Sequence, residues 1–249
     1  MSPKTLFLDI ETFPHTVSVW RLYEDNALET LHPSIICGFS AKWLGGKQIT
    51  KALPDYDYYT PGSRDDALIV SDIHQLLEEA DIVVAHNGAK FDLPVINARI
   101  AVAGLPPPAP YKVVDTCREA RRVFKFGANS LDYLCQIFGL GRKLATGGYE
   151  LWQLCMAGDL AAWGRMKRYN AHDVKLLEKL YLRIMPWCGL PNKNVYTTKA
   201  VCPRCGAGKL QSRGEARSLT RIYQRYQCKS CGSWSRSVKA TSTAKVVAA

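Results

Sequence analysis

The stretch Leu6-Phe7-Leu8-Asp9-Ile10-Glu11-Thr12 constrains this chain more than any other. It is short, almost wholly apolar and closed off by Phe13-Pro14, which predicts a strand. The near-continuous run of Leu6, Phe7, Leu8 and Ile10 asks for cover on both sides, as in the centre of a sheet. Side chains alternate along a strand, so Asp9 and Glu11 share one face, about 6.6 Å apart. Two carboxylates that close repel by about 2 kcal/mol even at an effective dielectric of about 20. Desolvation adds to the penalty, so the pair needs a cation or must take up protons. A divalent metal is the simplest remedy. The alternative is that Asp9 ends the strand and caps a turn while Glu11 is solvated, and this stretch alone does not choose.

Downstream, Val17–Tyr23 and Ile35–Leu44 read as two further strands with a turn at Gly45-Gly46, a β-meander opening a mixed sheet. Asp65–Glu79 has helical periodicity, with Ala67, Leu68, Ile73, Leu76 and Leu77 as its buried side. Asp81–His86 is a short buried strand. The segment His86-Asn87-Gly88-Ala89-Lys90-Phe91-Asp92-Leu93-Pro94 is a polar turn entering a helix, with Asp92 at the expected N-cap. A carboxylate has two oxygens, so capping and metal contact are compatible. That helix runs to about Ala103 and stops at Gly104-Leu105-Pro106-Pro107-Pro108. Lys112–Asp115 is a strand, followed by a basic helical stretch with Arg118, Arg121, Arg122 and Lys125. Asn129-Ser130 caps a helix through Phe138. The loop Gly139–Gly148 lacks the spacing of a nucleotide cradle, but its Arg142 and Lys143 are candidates for phosphate contact. Asp159–Trp187 is the longest helical segment, and Tyr169, Asp173, Leu176, Leu177, Leu180 and Ile184 form one stripe along it. A carboxylate on a core-facing stripe is costly without a partner, so Asp173 also asks for a cation.

At 249 residues the chain can hold one catalytic domain and a small second module. No apolar run is long enough to span a membrane and no leader pattern is present, so a soluble protein is expected. Its nine cysteines suit thiols or metal ligands in a reducing compartment. The net charge of +11 is unevenly spread: residues 196–249 hold 11 of the 33 Lys/Arg and one of the 22 Asp/Glu. A region that basic points to a polyanion, nucleic acid first.

Asp-x-Glu on a first strand, Asn-x4-Asp at a strand-to-helix turn and Tyr-x3-Asp on a late helix occur here in that order. Over residues 4–187 the chain resembles the RNase H-like 3′→5′ exonucleases that carry four acidic residues. It is most similar to their tyrosine subclass, found in family B DNA polymerase proofreading domains and in stand-alone bacterial and phage enzymes. Asp9-Ile10-Glu11-Thr12 and the 86–94 segment carry the likeness to the stand-alone members. The resemblance implies an α/β fold, a mixed central sheet flanked by helices, in a cytoplasmic protein of a bacterial or phage-infected cell. It also implies Asp9, Glu11, Asp92 and Asp173 as ligands of two Mg²⁺ or Mn²⁺ ions, with Tyr169 as a further catalytic residue. Asp9 would bridge the ions, Glu11 and Asp173 would complete the site that activates water, and Asp92 would hold the second ion. The histidine subclass would place its histidine at Arg168, so His172 is expected to be a solvated helix residue. Asn87 and Lys90 join Arg142 and Lys143 as expected nucleic-acid contacts. The implied activity is release of nucleoside 5′-monophosphates from DNA 3′ ends, single-stranded by preference. An exoribonuclease and a non-catalytic adaptor on the same fold are the alternatives.

Cys202-Pro203-Arg204-Cys205-Gly206 and Cys228-Lys229-Ser230-Cys231-Gly232 are paired C-x-x-C-G knuckles, which predict one structural zinc in a small β module, a zinc ribbon. Between them Arg221, Tyr223 and Arg225 alternate onto one strand face, with Arg217 close in sequence. Cations interleaved with an aromatic suit a phosphate backbone carrying a stacked base. The competing reading puts Tyr223, Tyr226 and Trp234 in the ribbon's core. The expected organisation is a nuclease domain at 1–187, a linker at 188–199, the ribbon at 200–238 and a disordered tail at 239–249.

Overall fold

The structure is a computed structural model and describes residues 2–21, 23 and 26–246. It divides into two units, Lys4–Tyr181 and Leu182–Ala249, the second taking in the first three residues.

In the first unit, strand β1 (Thr5–Phe13) lies at the centre of a five-stranded sheet. The short strands β2 (Thr16–Ser18) and β3 (Glu29–His32) pair only with each other. Strand β4 (Ile35–Trp43) runs antiparallel to β1, and β5 (Gln48–Ala52) antiparallel to β4. Helix α1 (Ala67–Glu79) leads to β6 (Ile82–Ala85), which pairs parallel with β1 on its other side. Helix α2 (Asp92–Val102) leads to β7 (Lys112–Asp115), parallel to β6. Four helices follow: α3 (Thr116–Val123), α4 (Leu131–Ile137), α5 (Tyr149–Met156) and α6 (Leu160–Ile184). The mixed sheet order β5-β4-β1-β6-β7 is the expected fold class.

The meander forms from β1, β4 and β5. The expected strand at Val17–Tyr23 shrinks to Thr16–Ser18 and leaves the main sheet; Leu22 lies outside the described residues. Val17, Val19 and Trp20 are exposed, so the apolar residues that suggested a strand have no core to enter. Helix α1 also buries a different face: Ile69, Val70, Ile73 and Leu77, with Leu68 and Ala67 exposed. Ile69, Val70, Ile73 and Leu77 lie on one helical stripe, and Ala67 and Leu68 fall to its other side.

The two faces of β1 take different cover. Leu6, Leu8 and Ile10 enter one core with the buried residues of α1 and α2. Phe7 points the other way and meets Tyr181 of α6 edge-on, with ring centroids 5.4 Å apart. Helix α6 is therefore the cover over the face that carries Asp9 and Glu11. Gln48 Nε2 donates to Ala171 O at 2.7 Å, Lys167 pairs with Asp55 at 2.6 Å, and Lys42 pairs with Glu178, so β4 and β5 hold the helix in register.

A buried ion pair braces the opposite face. Asp66 accepts from Ile36 N at 2.9 Å and from Arg99 Nε and Nη2 at 2.8 and 2.6 Å, joining β4 to α2.

In the second unit, β8 (Leu210–Arg217) and β9 (Arg221–Cys228) form a hairpin, and β10 (Trp234–Arg236) and β11 (Ser242–Thr243) pair with β9. The expected linker is ordered against this sheet: Lys193 N donates to Pro203 O at 2.8 Å and Arg204 Nη1 to Leu190 O at 2.8 Å. The expected disordered tail is likewise ordered in part. Thr241 N and Ala244 N donate to Ile222 O and Thr220 O at 2.7 and 2.8 Å, because β9 leaves an open edge there. Residues 247–249 lie outside the described residues.

Asp66→Ala would strand the Arg99 guanidinium and the Ile36 N–H in the interior. Breaking a buried pair from one side costs about 3–5 kcal/mol. Urea unfolding of the variant should show a loss of that size, and a loss below about 1 kcal/mol would mean the pair is no brace.

Candidate active site

Strand β1 outruns its parallel neighbour. Phe7 pairs with Val84, and β6 ends at Ala85, so Asp9 and Ile10 project past the end of β6 where its following turn begins. The Ile10 N–H, beyond the reach of β6, is taken by Asp92 Oδ1 at 3.1 Å. This bond fixes Asp92 beside Asp9. On the other edge the β1–β4 register slips between Glu11 and Thr12: Glu11 faces Gly38 and Thr12 faces Ile36, leaving Cys37 as the extra residue. A bulge of this kind re-aims the side chains beside it.

The 86–91 turn is built by a second aspartate. Asp115 caps α3 by accepting from Cys117 N and Arg118 N, and also accepts from Asn87 N and Ala89 N at 3.0 and 3.3 Å. Asn87 takes the left-handed conformation at φ 62°. A Cβ on Gly88 would lie 2.3 Å from the Ala85 Cβ and 3.3 Å from Asp92 Oδ2, so only glycine lets the chain pass there. His86 is structural. Its Nε2 donates to Asn129 O and its Nδ1 meets Thr116 Oγ1, both at 2.9 Å, and burial lowers its pKa. Asp92 is the first residue of α2 rather than the expected N-cap, which is Phe91. Its side chain is committed to Ile10 N.

Helix α6 supplies the rest. Tyr169 and Asp173 lie one turn apart, with Asn170 between them donating to Asp9 Oδ2 at 2.6 Å. Lys143, from the 139–148 loop, reaches Asp173 Oδ2 at 2.7 Å and sits 5.0 Å from the Tyr169 ring centroid. The loop is anchored where Lys143 N donates to Asp132 Oδ1 at 2.7 Å and where His172 Nε2 meets Arg142 O at 2.8 Å. His172 is thus a half-buried loop anchor and not the solvated residue expected. The arginine side chain of Arg142 donates to Gln136 Oε1 at 2.7 Å.

The four expected acids therefore converge, and the electrostatics are those of charge confined without enough counter-charge. Burial and then Asp92, Glu11 and Asp173 push the Asp9 pKa well above the usual carboxylate range. Burial and Asp173 push Glu11 up to about 8, and burial pushes Asp92 up to about 6. Burial also raises Asp173, although its bond from Lys143 works the other way. Burial pushes the Tyr169 hydroxyl up to about 12. Burial opposes the charge on Lys143, yet its bond to Asp173 outweighs this and holds the amine protonated.

A divalent ion fits this donor set. The Asp173 Oδ1 atom is buried without a hydrogen-bond partner, an acceptor waiting for a cation. Among the described residues, however, only the four thiols have three or more ligand atoms all within 4.8 Å of one another. No three of the carboxylates come that close to one another, and Lys143 stands among them.

Asn87 and Lys90 are exposed on the turn, and Arg142 is exposed on the loop with its guanidinium on Gln136. Phe91, 47% exposed immediately before Asp92, is an aromatic surface that the sequence reading passed over. It also passed over Asn170. The signal was present in Tyr169-Asn170-x-x-Asp173, where Asn170 lies three residues before Asp173 on a buried helix face.

The thiol cluster has the dimensions of a closed zinc site. Cys202 and Cys231 sulfurs are 3.7 Å apart and Cys205 and Cys228 sulfurs 3.6 Å. A zinc–thiolate tetrahedron with arms of about 2.3 Å has edges near about 3.8 Å. Burial alone would raise Cys202, but hydrogen bonds from Ser233 and backbone N–H groups bring it down to about 7, towards the thiolate. On the ribbon, Arg221 and Arg225 are exposed and Arg217 pairs with Glu215 at 3.3 Å. Tyr223 does not offer its ring as expected. It is 7% exposed, and the Arg236 guanidinium lies 3.6 Å from the ring centroid. Trp234 is the exposed aromatic, at 52%, with Arg225 over it at 5.1 Å.

Comparison with known proteins agrees with this architecture. A family model described as the RNase_H superfamily matches residues 6–185, and the chain belongs to that superfamily. Nucleases on this fold generally use divalent metals. Among solved structures, the family B DNA polymerase of the hyperthermophilic archaeon Pyrobaculum calidifontis matches with a TM-score of 0.55 at 18% identity. The match covers 74% of this chain and 25% of the polymerase chain, so it establishes a shared fold with part of that enzyme. No curated protein matches the sequence. Among the described residues no helix is long and apolar enough to cross a membrane.

The raised carboxyl pKa values tie stability to pH. A buried acid whose folded pKa lies above its unfolded value of about 4 stabilises the fold while protonated and loses that contribution as pH rises. The window runs from the unfolded value through about 6 for Asp92 and about 8 for Glu11. In EDTA the melting temperature should fall between about pH 5 and about pH 8.5, and Mn²⁺ should restore most of the loss at the upper end. Calorimetry that finds a flat profile without metal would show that these acids ionise at no cost.

Proposed function

We propose that the chain is a metal-dependent 3′→5′ exonuclease that releases nucleoside 5′-monophosphates from DNA 3′ ends, single-stranded by preference. The observation that carries this reading is the convergence of Asp9, Glu11, Asp92 and Asp173 from three separate elements onto one half-buried site beside Tyr169. Two Mg²⁺ or Mn²⁺ ions held there would supply an activated water and charge stabilisation for the departing 3′ oxygen. Asp9, Glu11, Asp92 and Asp173 would hold the ions, with Glu11 and Asp173 serving the attacking water and Asp92 the departing oxygen. Tyr169 keeps its proton to about 12. A hydroxyl that weakly acidic is no general base near neutral pH, so it orients the attacking water by hydrogen bonding. Lys143 offers a positive charge between Asp173 and Tyr169 for the scissile phosphate. Asn87, Lys90 and Arg142 border the site, and Phe91 offers a face to the terminal base. In the ribbon, one structural Zn²⁺ would fix the knuckles, and Arg217, Arg221 and Arg225 would contact nucleic-acid phosphates.

The test uses 5′-labelled DNA and RNA oligonucleotides, single- and double-stranded, with Mg²⁺, Mn²⁺ or EDTA. Single-stranded DNA should shorten stepwise from its 3′ end only with metal. Equal or faster loss of RNA would make the enzyme an exoribonuclease. Tyr169→Phe should lower turnover about 10- to 1,000-fold with little change in substrate affinity. Asp173→Ala should be inactive yet folded. Near-native turnover by either variant would remove its residue from the chemistry.

The ribbon is tested separately. Cys202→Ser with Cys205→Ser should release zinc and unfold a module this small. The double variant should bind long single strands more weakly, with a shallower dependence of log K on log salt, because several phosphate contacts are lost. An unchanged salt slope would argue for a protein-docking ribbon instead.

A further inference from the structure

Asn170 is 2% exposed, yet its side chain is not spent on the helix. Its Nδ2 donates to Asp9 Oδ2 at 2.6 Å and lies 3.5 Å from the Asp9 carbonyl oxygen. The same amide lies close enough to Glu11 to favour its ionised form. The amide presents its NH₂ to Asp9 Oδ2, which leaves Oδ1 facing inward. That Oδ1 is buried with no partner. An orphaned carbonyl in the interior is costly, and a packing role alone would be filled better by leucine or alanine.

We infer that Asn170 is a positioning residue, which holds the Asp9 carboxylate beside Glu11 in place to receive metal. The inference rests on the nuclease reading of this site. Tyr169, Asn170 and Asp173 then form one helical unit, spaced so that a single turn of α6 supplies the water-orienting hydroxyl, the clamp and a ligand. Groups that orient metal ligands from the outside typically change affinity or activity about 10- to 100-fold when removed.

Two variants of the full-length protein test it, with the fold checked by circular dichroism. Asn170→Ala removes both donors, and Asn170→Asp keeps the volume while replacing donors with acceptors. Calorimetric titration with Mn²⁺ should show Asn170→Ala binding about 10- to 100-fold more weakly than wild type, and its kcat on single-stranded DNA should fall similarly. KM for the oligonucleotide should not move, because Asn170 is placed to touch carboxylates and not the strand. Asn170→Asp should lose at least as much turnover, and in EDTA it should melt below wild type because a fifth acid joins the cluster. If Asn170→Ala does not fold, Asn170→Asp decides by itself. Wild type that binds Mn²⁺ and cuts DNA, beside variants with kcat and Mn²⁺ affinity within about twofold of it, would overturn the inference. Wild type that does neither would instead overturn the nuclease reading.

Discussion

Acidic groups crowded together with little access to water govern this domain. Asp9 and Glu11 share a covered face of the central strand, and Asp92 and Asp173 are brought to the same place by a turn and a helix. Sequestered carboxylates repel one another and lack the solvation that would screen them. Every neighbour of the cluster can be read as a response to that. Lys143 supplies a cation, Asn170 supplies amide protons, and Ile10 lends a backbone N–H. These relieve only part of the strain, and the remainder shows as acids that hold their protons up to about 8 at Glu11.

The surrounding architecture keeps this arrangement from relaxing. If β6 were longer it would take the Ile10 N–H and expel Asp92; by stopping at Ala85 it creates the vacancy that Asp92 fills. Gly88 lets the turn pass tightly over Ala85, and Asp115 ties down the backbone of Asn87 and Ala89. Helix α6 is pinned from outside by Lys42, Gln48 and Asp55. The site is therefore assembled from rigid elements, and the 139–148 loop alone contributes a charged side chain on a less regular path.

The sequence was legible where one physical rule dominated. Alternation on an apolar strand placed Asp9 and Glu11 on one face, and helical spacing placed Tyr169 and Asp173 together. The knuckle spacing was equally plain in the four thiols, which do gather. It was less legible where two rules competed. Val17–Tyr23 has strand composition but no core to pack on, so most of it forms no strand. Helix α1 carries apolar residues on more than one side, and only the stripe of Ile69, Val70, Ile73 and Leu77 turns inward. Tyr223 alternates with arginines as a binding strand would, but Arg236, from another strand, covers it. Asn170, and the bond of Lys143 to Asp173, were hidden for the same reason: their significance lies in partners far away in the chain.

The bulge at Glu11 leaves Cys37 as the unmatched residue, wholly enclosed, its thiol made still less acidic by burial and by Glu11. A thiol so placed is inert to alkylating and oxidising reagents while the strands remain zipped, since the thiolate is the reactive form. Separation of β1 from β4 beside Glu11 exposes it. The rate at which a thiol reagent modifies Cys37 thus reports how often the strand bearing the acids opens locally, a quantity distinct from the stability of the whole domain. The protein carries its own clock for the breathing of its most crowded strand.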